Sequence, residues 1–221
     1  MTQLFEQNLF DYLQNEEISL RDRMKIAIEI GNGIAGLKDY ANGHHLNHLD
    51  LKPTNIYLNT LNGSKHERIC IADSGIARCE DDGLSDARTG TALFASPEQL
   101  VLRSNHKTDI YAYGKILVLV FFKWKMAWWL LGSERDERVE QVFKMNPLTD
   151  MFDEFVSQML NVDYKNRPNI EEVMEYLKIM KDEYFIMADE YERLWEELHK
   201  TSINEVLEII VCYESNAILR L

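Results

Sequence analysis

The spacing of apolar residues predicts a chain that is mainly helical. Ser19, with Asp22 three residues later, is a helix-capping pattern. After it, apolar or small residues recur at helical spacing, at Leu20, Met24, Ala27, Ile28, Gly31, Ile34 and Ala35. We therefore predict a long helix from about residue 19 to 41, with a short helix at about 8–14 before it.

Extended segments are short and lie in the first half of the chain. Residues 46–59 mix loop and strand signals around Pro53, and residues 68–72 form a short apolar run that predicts a strand. Residues 74–97 are polar and rich in glycine, so we predict a long surface loop there. From about residue 107 onward the pattern is helical again, and Asn169 with Glu172 predicts another capped helix start.

The C-terminal tail has its own apolar pattern. Apolar residues recur over about two heptads, at Tyr184, Met187, Ala188, Tyr191, Leu194, Trp195 and Leu198. Ser202 with Glu205 predicts the start of a last helix. Two interpretations remain open: a helix packed on its own domain, or a helix that binds a partner. Two heptads are too few to establish a coiled coil.

Charge and composition exclude several classes. The net charge of -13 argues against nucleic acid or an anionic membrane as a partner, because both require a basic surface. Residues 116–131 are apolar, but the run is too short for a membrane span and contains two lysines, so it predicts a buried core helix. The three cysteines lack metal-site spacing and no secretory signal is visible, which favours free thiols and a cytoplasmic location.

The stretch with the clearest chemistry is His48-Leu49-Asp50-Leu51-Lys52-Pro53-Thr54-Asn55, followed by Asp73-Ser74-Gly75. Phosphoryl transfer requires a group that orients the incoming hydroxyl, ligands for a metal ion, and positive charge near the transferred phosphate. Asp50, Lys52, Asn55 and Asp73 supply this set in order.

These residues resemble the catalytic loop and the D-F-G motif of the protein kinase family. The resemblance implies that Asp50 accepts or orients the substrate hydroxyl proton and that Lys52 contacts the γ-phosphate, as in Ser/Thr kinases. It also implies that Asn55 and Asp73 hold Mg²⁺.

Further landmarks extend the resemblance over about residues 2–180. Residues 90–98 resemble the end of the activation segment, where Thr91 would line the substrate pocket beside Asp50 and Ser96 stands in place of the usual Ala. Residues 109–114 resemble the start of the central buried helix, whose Asp braces the catalytic loop. Arg167 resembles the late arginine of the family, which implies a structural ion pair with Glu98.

The resemblance also implies a nucleotide site. The first residues resemble the hinge between the two kinase lobes, with Thr2 as gatekeeper and Phe5 and Glu6 in the hinge. Tyr57 and Leu58 follow Asn55 and would form the floor under adenine. The implied cofactors are ATP and Mg²⁺, the latter held by Asn55 and Asp73.

Several features depart from the family pattern. Gly31, Gly33 and Gly36 have the spacing of a phosphate loop but fall within the predicted helix, so we interpret them as sites of close helix packing. Leu49 replaces the arginine that clamps a phosphorylated activation loop, so activation by phosphate on that loop is not expected. Ser74 replaces a phenylalanine.

The predicted fold is therefore α+β: a mainly helical, kinase-like C-lobe at residues 1–180, with a small β element at the catalytic loop and a helical extension at 181–221. The N-lobe is expected to be absent.

The function expected is that of a Ser/Thr protein kinase lacking its N-lobe, inactive as an isolated chain. The alternative is a complete, non-catalytic pseudokinase module that binds or inhibits another kinase through its upper face. The partner is accordingly a protein substrate or a partner kinase, and the sequence indicates no oligomeric state.

Overall fold

The computed structural model describes residues 7–14, 18–40, 46–61, 64–73, 77–79, 93–101, 104–121 and 150–186. Within these residues the helices are α1 (Leu9–Leu13), α2 (Leu20–Tyr40), α3 (Pro97–Leu100), α4 (Thr108–Phe121), α5 (Asp150–Met159) and α6 (Ile170–Ile186). The strands are β1 (Gln7–Asn8), β2 (Leu46–Asn47), β3 (Ile56–Leu61), β4 (Ser64–Ile71) and β5 (Arg78–Cys79). A mainly helical α+β fold is thus confirmed for this part of the chain.

Two small antiparallel sheets bring the polar loops together. The first sheet has the order β1-β3-β4, and Ile56 at the start of β3 pairs with Ile71 at the end of β4. The second sheet pairs β2 with β5. The strand predicted at 68–72 corresponds to β4, which is longer than expected because it begins at Ser64. Because β3 and β4 are antiparallel, the residue before β3 and the residues after β4 meet at one edge.

The helix starts follow the capping patterns of the sequence. Ser19 Oγ accepts a hydrogen bond from the Asp22 amide at 3.1 Å, one residue before α2 begins. Asn169 Oδ1 accepts from the Glu172 amide at 2.9 Å, and Glu172 Oε2 accepts from the Asn169 amide at 2.7 Å. The predicted starts of α2 and α6 are confirmed because each cap satisfies amide groups that have no partner inside the helix.

Helix α4 lies at the centre of the core. All of its residues are buried except Lys115, and it packs against α2 and α5. The prediction of a buried helix is confirmed from Ile116 to Phe121, and residues 122–131 of that apolar run lie outside the described residues. In the part of the chain that the structure describes, no helix combines the length and apolar character needed to cross a membrane.

Two polar side chains join α2 to α4 inside this apolar core. The Tyr113 hydroxyl donates to the carbonyl of Ala27 in α2. Arg23 Nη1 donates to the Val120 carbonyl in the last turn of α4 at 2.6 Å, and its Nε donates to Ile18 O at 3.1 Å. Burial lowers the pKa of Arg23 to about 10. Arg23 therefore brings a buried donor from α2 to a carbonyl in the last turn of α4.

The helical glycines differ in their surroundings. A Cβ on Gly31 would overlap Met174 Sδ of α6, and a Cβ on Gly33 would lie 2.9 Å from Ile71 Cδ1 of β4. Both positions confirm the interpretation as close packing. The interpretation is wrong for Gly36, which is exposed, and a Cβ at this position would meet no atom within 4 Å. Helical spacing alone did not distinguish a buried from an open glycine.

The proposed boundary at residue 180 stays a prediction. Helix α6 runs through it without interruption to Ile186. The remainder of the predicted extension, residues 187–221, lies outside the described residues, so both interpretations of the tail stand as they were.

The glycine contacts predict opposite effects of two alanine substitutions. Gly114→Ala in α4 should lower the free energy of unfolding by about 1–3 kcal/mol, because its Cβ would lie 3.0 Å from Met159 Cβ in α5 and force the helices apart. Gly36→Ala is the matched control and should raise it by about 0.5–1 kcal/mol, because an exposed helical glycine costs backbone entropy. Urea unfolding of the chain measures both. Equal changes at the two positions would contradict the helix-contact argument.

Candidate active site

Asp50 lies in the loop after β2, and a buried carboxylate from α4 holds this loop. Asp109 Oδ2 accepts the His48 amide at 2.6 Å, and Asp109 Oδ1 accepts the Leu49 amide at 3.0 Å. Burial raises the pKa of Asp109, and the two amide hydrogen bonds act in the opposite direction. Asp109 therefore fixes the backbone directly before Asp50.

Leu49 has an unusual backbone conformation. Its φ is 67°, in the left-handed region that residues with a Cβ rarely adopt. Such a conformation costs on the order of 1–3 kcal/mol and persists only where surrounding contacts enforce it. Here Asp109 accepts the Leu49 amide, and Gln99 Nε2 donates to the Leu49 carbonyl at 2.6 Å. The Leu49 side chain, which stands where the family has arginine, is buried.

Asp50, Lys52 and Asn55 form one polar cluster. Lys52 Nζ donates to Asp50 Oδ2 at 2.7 Å, and both side chains are mostly buried. Asn55 Nδ2 donates to the Asp50 carbonyl at 3.0 Å and to Asp50 Oδ2 at 3.1 Å. The carboxylate of Asp50 is therefore oriented by a cation and an amide from its own loop. The sequence predicted these three residues together, and the structure brings them together.

Asp73 lies beside this cluster because of the antiparallel pairing of β3 and β4. The Ala72 amide donates to the Asn55 carbonyl at 2.9 Å, and His48 Nε2 lies 2.9 Å from the Ala72 carbonyl. Ala72, the residue directly before Asp73, thus contacts both His48 and Asn55 of the catalytic-loop motif. Asp73 itself is exposed and has a positive φ of 62°. A non-glycine residue in this region is uncommon, although aspartate tolerates it better than most.

The oxygens of Asn55 and Asp73 suit a magnesium ion that also binds phosphate. Asn55 uses its Nδ2 to contact Asp50, and among the described residues neither Asn55 Oδ1 nor the Asp73 carboxylate accepts a hydrogen bond. Mg²⁺ favours such oxygens and usually takes one or two protein ligands, with the rest from water and phosphate. Within the same ranges, no cluster of three or more His, Cys, Asp or Glu side chains has the geometry of a metal site.

The residues predicted to bind nucleotide are only partly described. Tyr57 and Leu58 lie on β3, where they pair with Asn8 and Gln7 of β1. Neighbouring strand residues face opposite sides, and Leu58 is buried in the core whereas Tyr57 keeps some exposed surface. Tyr57 is therefore the residue of the pair that offers surface to a ligand. Thr2, Phe5, Glu6 and Thr91 lie outside the described residues.

The predicted ion pair between Glu98 and Arg167 is present and buried. Arg167 Nη1 donates to Glu98 Oε1 and Nη2 to Oε2, both at 2.7 Å. Thr108 Oγ1 at the start of α4 also donates to Glu98 Oε1 at 3.2 Å. Burial alone would raise the pKa of Glu98, but these contacts outweigh it and lower the pKa from its ordinary value of 4.5. The pair ties α3 to the turn before α6.

Two contacting residues were not predicted. Gln99 in α3 reaches the Leu49 carbonyl, and Lys115 in α4 donates through Nζ to the Leu93 carbonyl at 2.7 Å. The pattern Ser96-Pro97-Glu98-Gln99 does spell a capping box, and this box forms. No local signal in the sequence indicates the long-range partners, Leu49 and Leu93.

The comparison with known families agrees with this geometry. A sequence model described as the protein kinase domain matches residues 1–177. The match includes the catalytic-loop motif, both ends of the β3–β4 hairpin, and the Glu98–Arg167 pair.

Individual relatives are similar over much of this chain. The serine/threonine-protein kinase Nek2 of Homo sapiens is 31% identical over 162 residues, which cover 68% of this chain and 33% of the relative. Nek2 of Mus musculus is 33% identical over 144 residues, covering 60% of this chain and 30% of the relative. The interferon-induced, double-stranded RNA-activated protein kinase of Mus musculus is 31% identical over 176 residues, covering 76% and 32%. The chain matches about a third of the length of these curated relatives.

The buried ion pair predicts a large stability loss when one partner is removed. Arg167→Met should lower the free energy of unfolding by about 3–5 kcal/mol, because it leaves the Glu98 carboxylate buried without its cation. Lys25→Met is the control, since it breaks the exposed pair with Asp22 and should cost at most about 1 kcal/mol. Urea unfolding at neutral pH measures both.

The pH dependence gives an independent check of the same pair. Because the folded state lowers the pKa of Glu98, the pair stabilises the fold above the ordinary pKa of 4.5 and loses this effect as the pH falls through the lower, folded-state value. The difference in stability between the wild-type chain and Arg167→Met should therefore shrink at acid pH. A difference that grows on acidification would contradict the assignment.

Proposed function

The chain belongs to the eukaryotic-type Ser/Thr protein kinase family, and on this premise we propose that Asp50, Lys52, Asn55 and Asp73 form a site for transfer of the γ-phosphate of ATP to a serine or threonine hydroxyl of a protein. The observation that carries the proposal is the contact of Lys52 and Asn55 with Asp50 Oδ2, beside the strand end that bears Asp73.

Each residue has a distinct role in the proposed reaction. Asp50 accepts or orients the proton of the attacking hydroxyl, and its carboxylate is held for this by Lys52 and Asn55. Lys52 also supplies positive charge for the γ-phosphate once substrates separate it from Asp50. Asn55 Oδ1 and Asp73 would hold Mg²⁺, which when bound neutralises charge on the phosphate oxygens.

The polar cluster is suited to this role because it is preorganised. Side chains fixed by short hydrogen bonds before substrate arrives spend little free energy on reorganisation during the reaction. The Asp50 carboxylate is nearly enclosed, with 13% of its side-chain surface exposed, whereas Asp73 is exposed toward solvent. This difference separates a sheltered proton acceptor from an accessible metal ligand.

We further propose that the polypeptide of residues 1–221 binds nucleotide weakly by itself. A protein kinase site also uses a Gly-rich loop and a strand lysine that contact the phosphates. The only G-x-G-x-x-G spacing in the 221 residues lies within α2, where it cannot act as a phosphate loop. An open site loses the orientation and the strengthened electrostatics that a covered site provides.

A second proposed function keeps the fold without catalysis: a pseudokinase module that binds or inhibits another kinase. The observation in its favour is the burial of Leu49 where the family has a phosphate-binding arginine. It predicts a stoichiometric complex with a kinase N-lobe that survives substitution of Asp50.

The catalytic proposal predicts a large loss of transfer in Asp50→Asn. The amide cannot accept the hydroxyl proton, so the rate should fall by about 10²–10⁴-fold. The assay measures transfer of the γ-phosphate of Mg-ATP to casein. The enzyme is the longest polypeptide encoded by the reading frame that contains residues 1–221. Glu154→Gln, an exposed carboxyl-to-amide change in α5, should leave the rate unchanged. Equal rates in Asp50→Asn and wild type would reject the proposal, and casein phosphorylated on tyrosine alone would reject the Ser/Thr assignment.

Isothermal titration tests the weak-binding proposal. Mg-ATP titrated into the polypeptide of residues 1–221 should give a dissociation constant in the millimolar range or weaker, equivalent to about 4 kcal/mol of binding free energy or less. Asp73→Asn should weaken any measured binding further in the presence of Mg²⁺. A micromolar constant for the wild-type polypeptide would show that these residues cover the nucleotide sufficiently by themselves.

A further inference from the structure

Residues 93–96 lie between the catalytic loop and α4. The side chains of Gln99 and Lys115 connect them to these two parts of the fold, and neither side chain has yet been given a role. We call this stretch the substrate-side segment, because in the proposed function it belongs to the part of the chain that faces the protein substrate. It precedes α3, and Phe94, Ala95 and Ser96 within it are buried. Two side chains hold the segment at its two ends: Lys115 contacts Leu93, and Gln99 contacts Ser96.

Gln99 uses one amide group for two purposes. Its Nε2 donates to the Leu49 carbonyl at 2.6 Å, and its Oε1 accepts the Ser96 amide at 3.4 Å. The side chain is 6% exposed, so water cannot readily replace either contact. Gln99 therefore links the end of the substrate-side segment to the strained residue directly before Asp50.

The Leu49 contact matters because of the strain at this position. A residue with a φ of 67° requires external contacts to keep its conformation. Asp109 holds the amide side of Leu49, and Gln99 holds the carbonyl side, which is the peptide group shared with Asp50. Loss of the carbonyl contact would let this peptide rotate, and Asp50 would rotate with it.

Lys115 holds the other end of the segment. Its Nζ donates to the Leu93 carbonyl at 2.7 Å and lies 4.9 Å from the centre of the Tyr111 ring. The guanidinium of Arg167 lies 4.9 Å from the same ring and also binds Glu98 of α3. Lys115 thus anchors the first residue of the segment to α4, and Arg167, over the same ring, holds α3 directly after the segment.

These contacts do not involve a phosphate group. The buried Leu49 side chain replaces the arginine through which a phosphorylated loop would otherwise be clamped. Instead, the neutral amide of Gln99 binds the Leu49 carbonyl and the ammonium of Lys115 binds the Leu93 carbonyl.

We propose that Gln99 and Lys115 are positioning residues that hold the substrate-side segment on the catalytic loop without phosphorylation: Gln99 orients Asp50 through the Leu49 carbonyl, and Lys115 orders residues 93–96 for the protein substrate. This inference rests on the proposed phosphotransfer function for its kinetic part. Its structural part, the control of residues 48–50 by Gln99, does not require turnover.

Hydrogen exchange of the polypeptide of residues 1–221, followed by mass spectrometry, tests the structural part. Gln99→Met keeps the volume of the side chain but removes both contacts, and it should speed exchange of the amides at 48–50 by about tenfold, the effect of one buried hydrogen bond. Ser96→Ala is the matched control, because it removes the Ser96 hydroxyl from the capping box and leaves Gln99 in contact with Leu49. It should change exchange at 48–50 by less than about twofold. Equal exchange in Gln99→Met and Ser96→Ala would overturn the role of Gln99.

Steady-state kinetics test the kinetic part of the inference. The polypeptide is the one used for the transfer assay, and it is treated with phosphatase beforehand. Gln99→Met should lower kcat about tenfold with little change in the KM for casein. Lys115→Met should raise the KM for casein several-fold with little change in kcat, and Lys115→Arg should partly restore the KM. Lys178→Met, an exposed lysine on α6, is the control.

The outcomes separate the inference from the proposed function. Values of kcat and KM in Gln99→Met and Lys115→Met that match those of the control Lys178→Met would overturn the inference, as would wild-type activity that disappears on phosphatase treatment. Absence of transfer in the wild-type polypeptide would reject the proposed function, while faster exchange at 48–50 in Gln99→Met would still support the role of Gln99 in holding the loop.

Discussion

A single buried carboxyl group, that of Asp109, supports the arrangement of the candidate site. It lies in the first turn of α4, where the helix dipole favours negative charge, and it accepts two consecutive amides of the loop before Asp50. Without this acceptor, both amides would be buried and unsatisfied, at a cost of about 1–3 kcal/mol each. The left-handed turn at Leu49, and with it the direction of Asp50, depends on this acceptor.

Helix α4 also takes part in contacts elsewhere in the fold. Gly114 allows α5 to approach closely, and Arg23 from α2 caps the carbonyl of Val120 at the far end. Lys115, the one residue of α4 with appreciable exposure, reaches the segment before α3. The helix is therefore both the apolar centre of the fold and the polar support of the loops around it, and loop geometry at the site is coupled to core packing.

The sequence predicted those parts of the structure that depend on local chemistry. The starts of α2 and α6 follow from Ser19 and Asn169, because a cap bonds to amides within three residues of itself. Asp50, Lys52 and Asn55 fall within one loop, so their cluster could be predicted from their order. The Glu98–Arg167 pair is long-range and was predicted only through the family resemblance.

The features that were missed depend on distant partners. Gln99 and Leu49 are far apart in sequence, and neither composition nor spacing indicates that an amide should meet that carbonyl. Gly36 lies in the same helix as Gly31 and Gly33, but it is exposed and no neighbouring element lies within 4 Å of the position of a Cβ there. The length of β4 was underestimated because polar residues at its start resemble a loop, although they continue the pairing with β3.

The Tyr113 hydroxyl has a consequence for the behaviour of the protein in alkali. Its pKa is raised by complete burial, and its proton is already engaged by a helix carbonyl of α2. Ionisation would place a phenolate among aliphatic side chains, facing a carbonyl oxygen. In an ultraviolet difference titration this phenol should stay silent while solvent-accessible tyrosines ionise, so that its absorbance change marks the separation of the two helices.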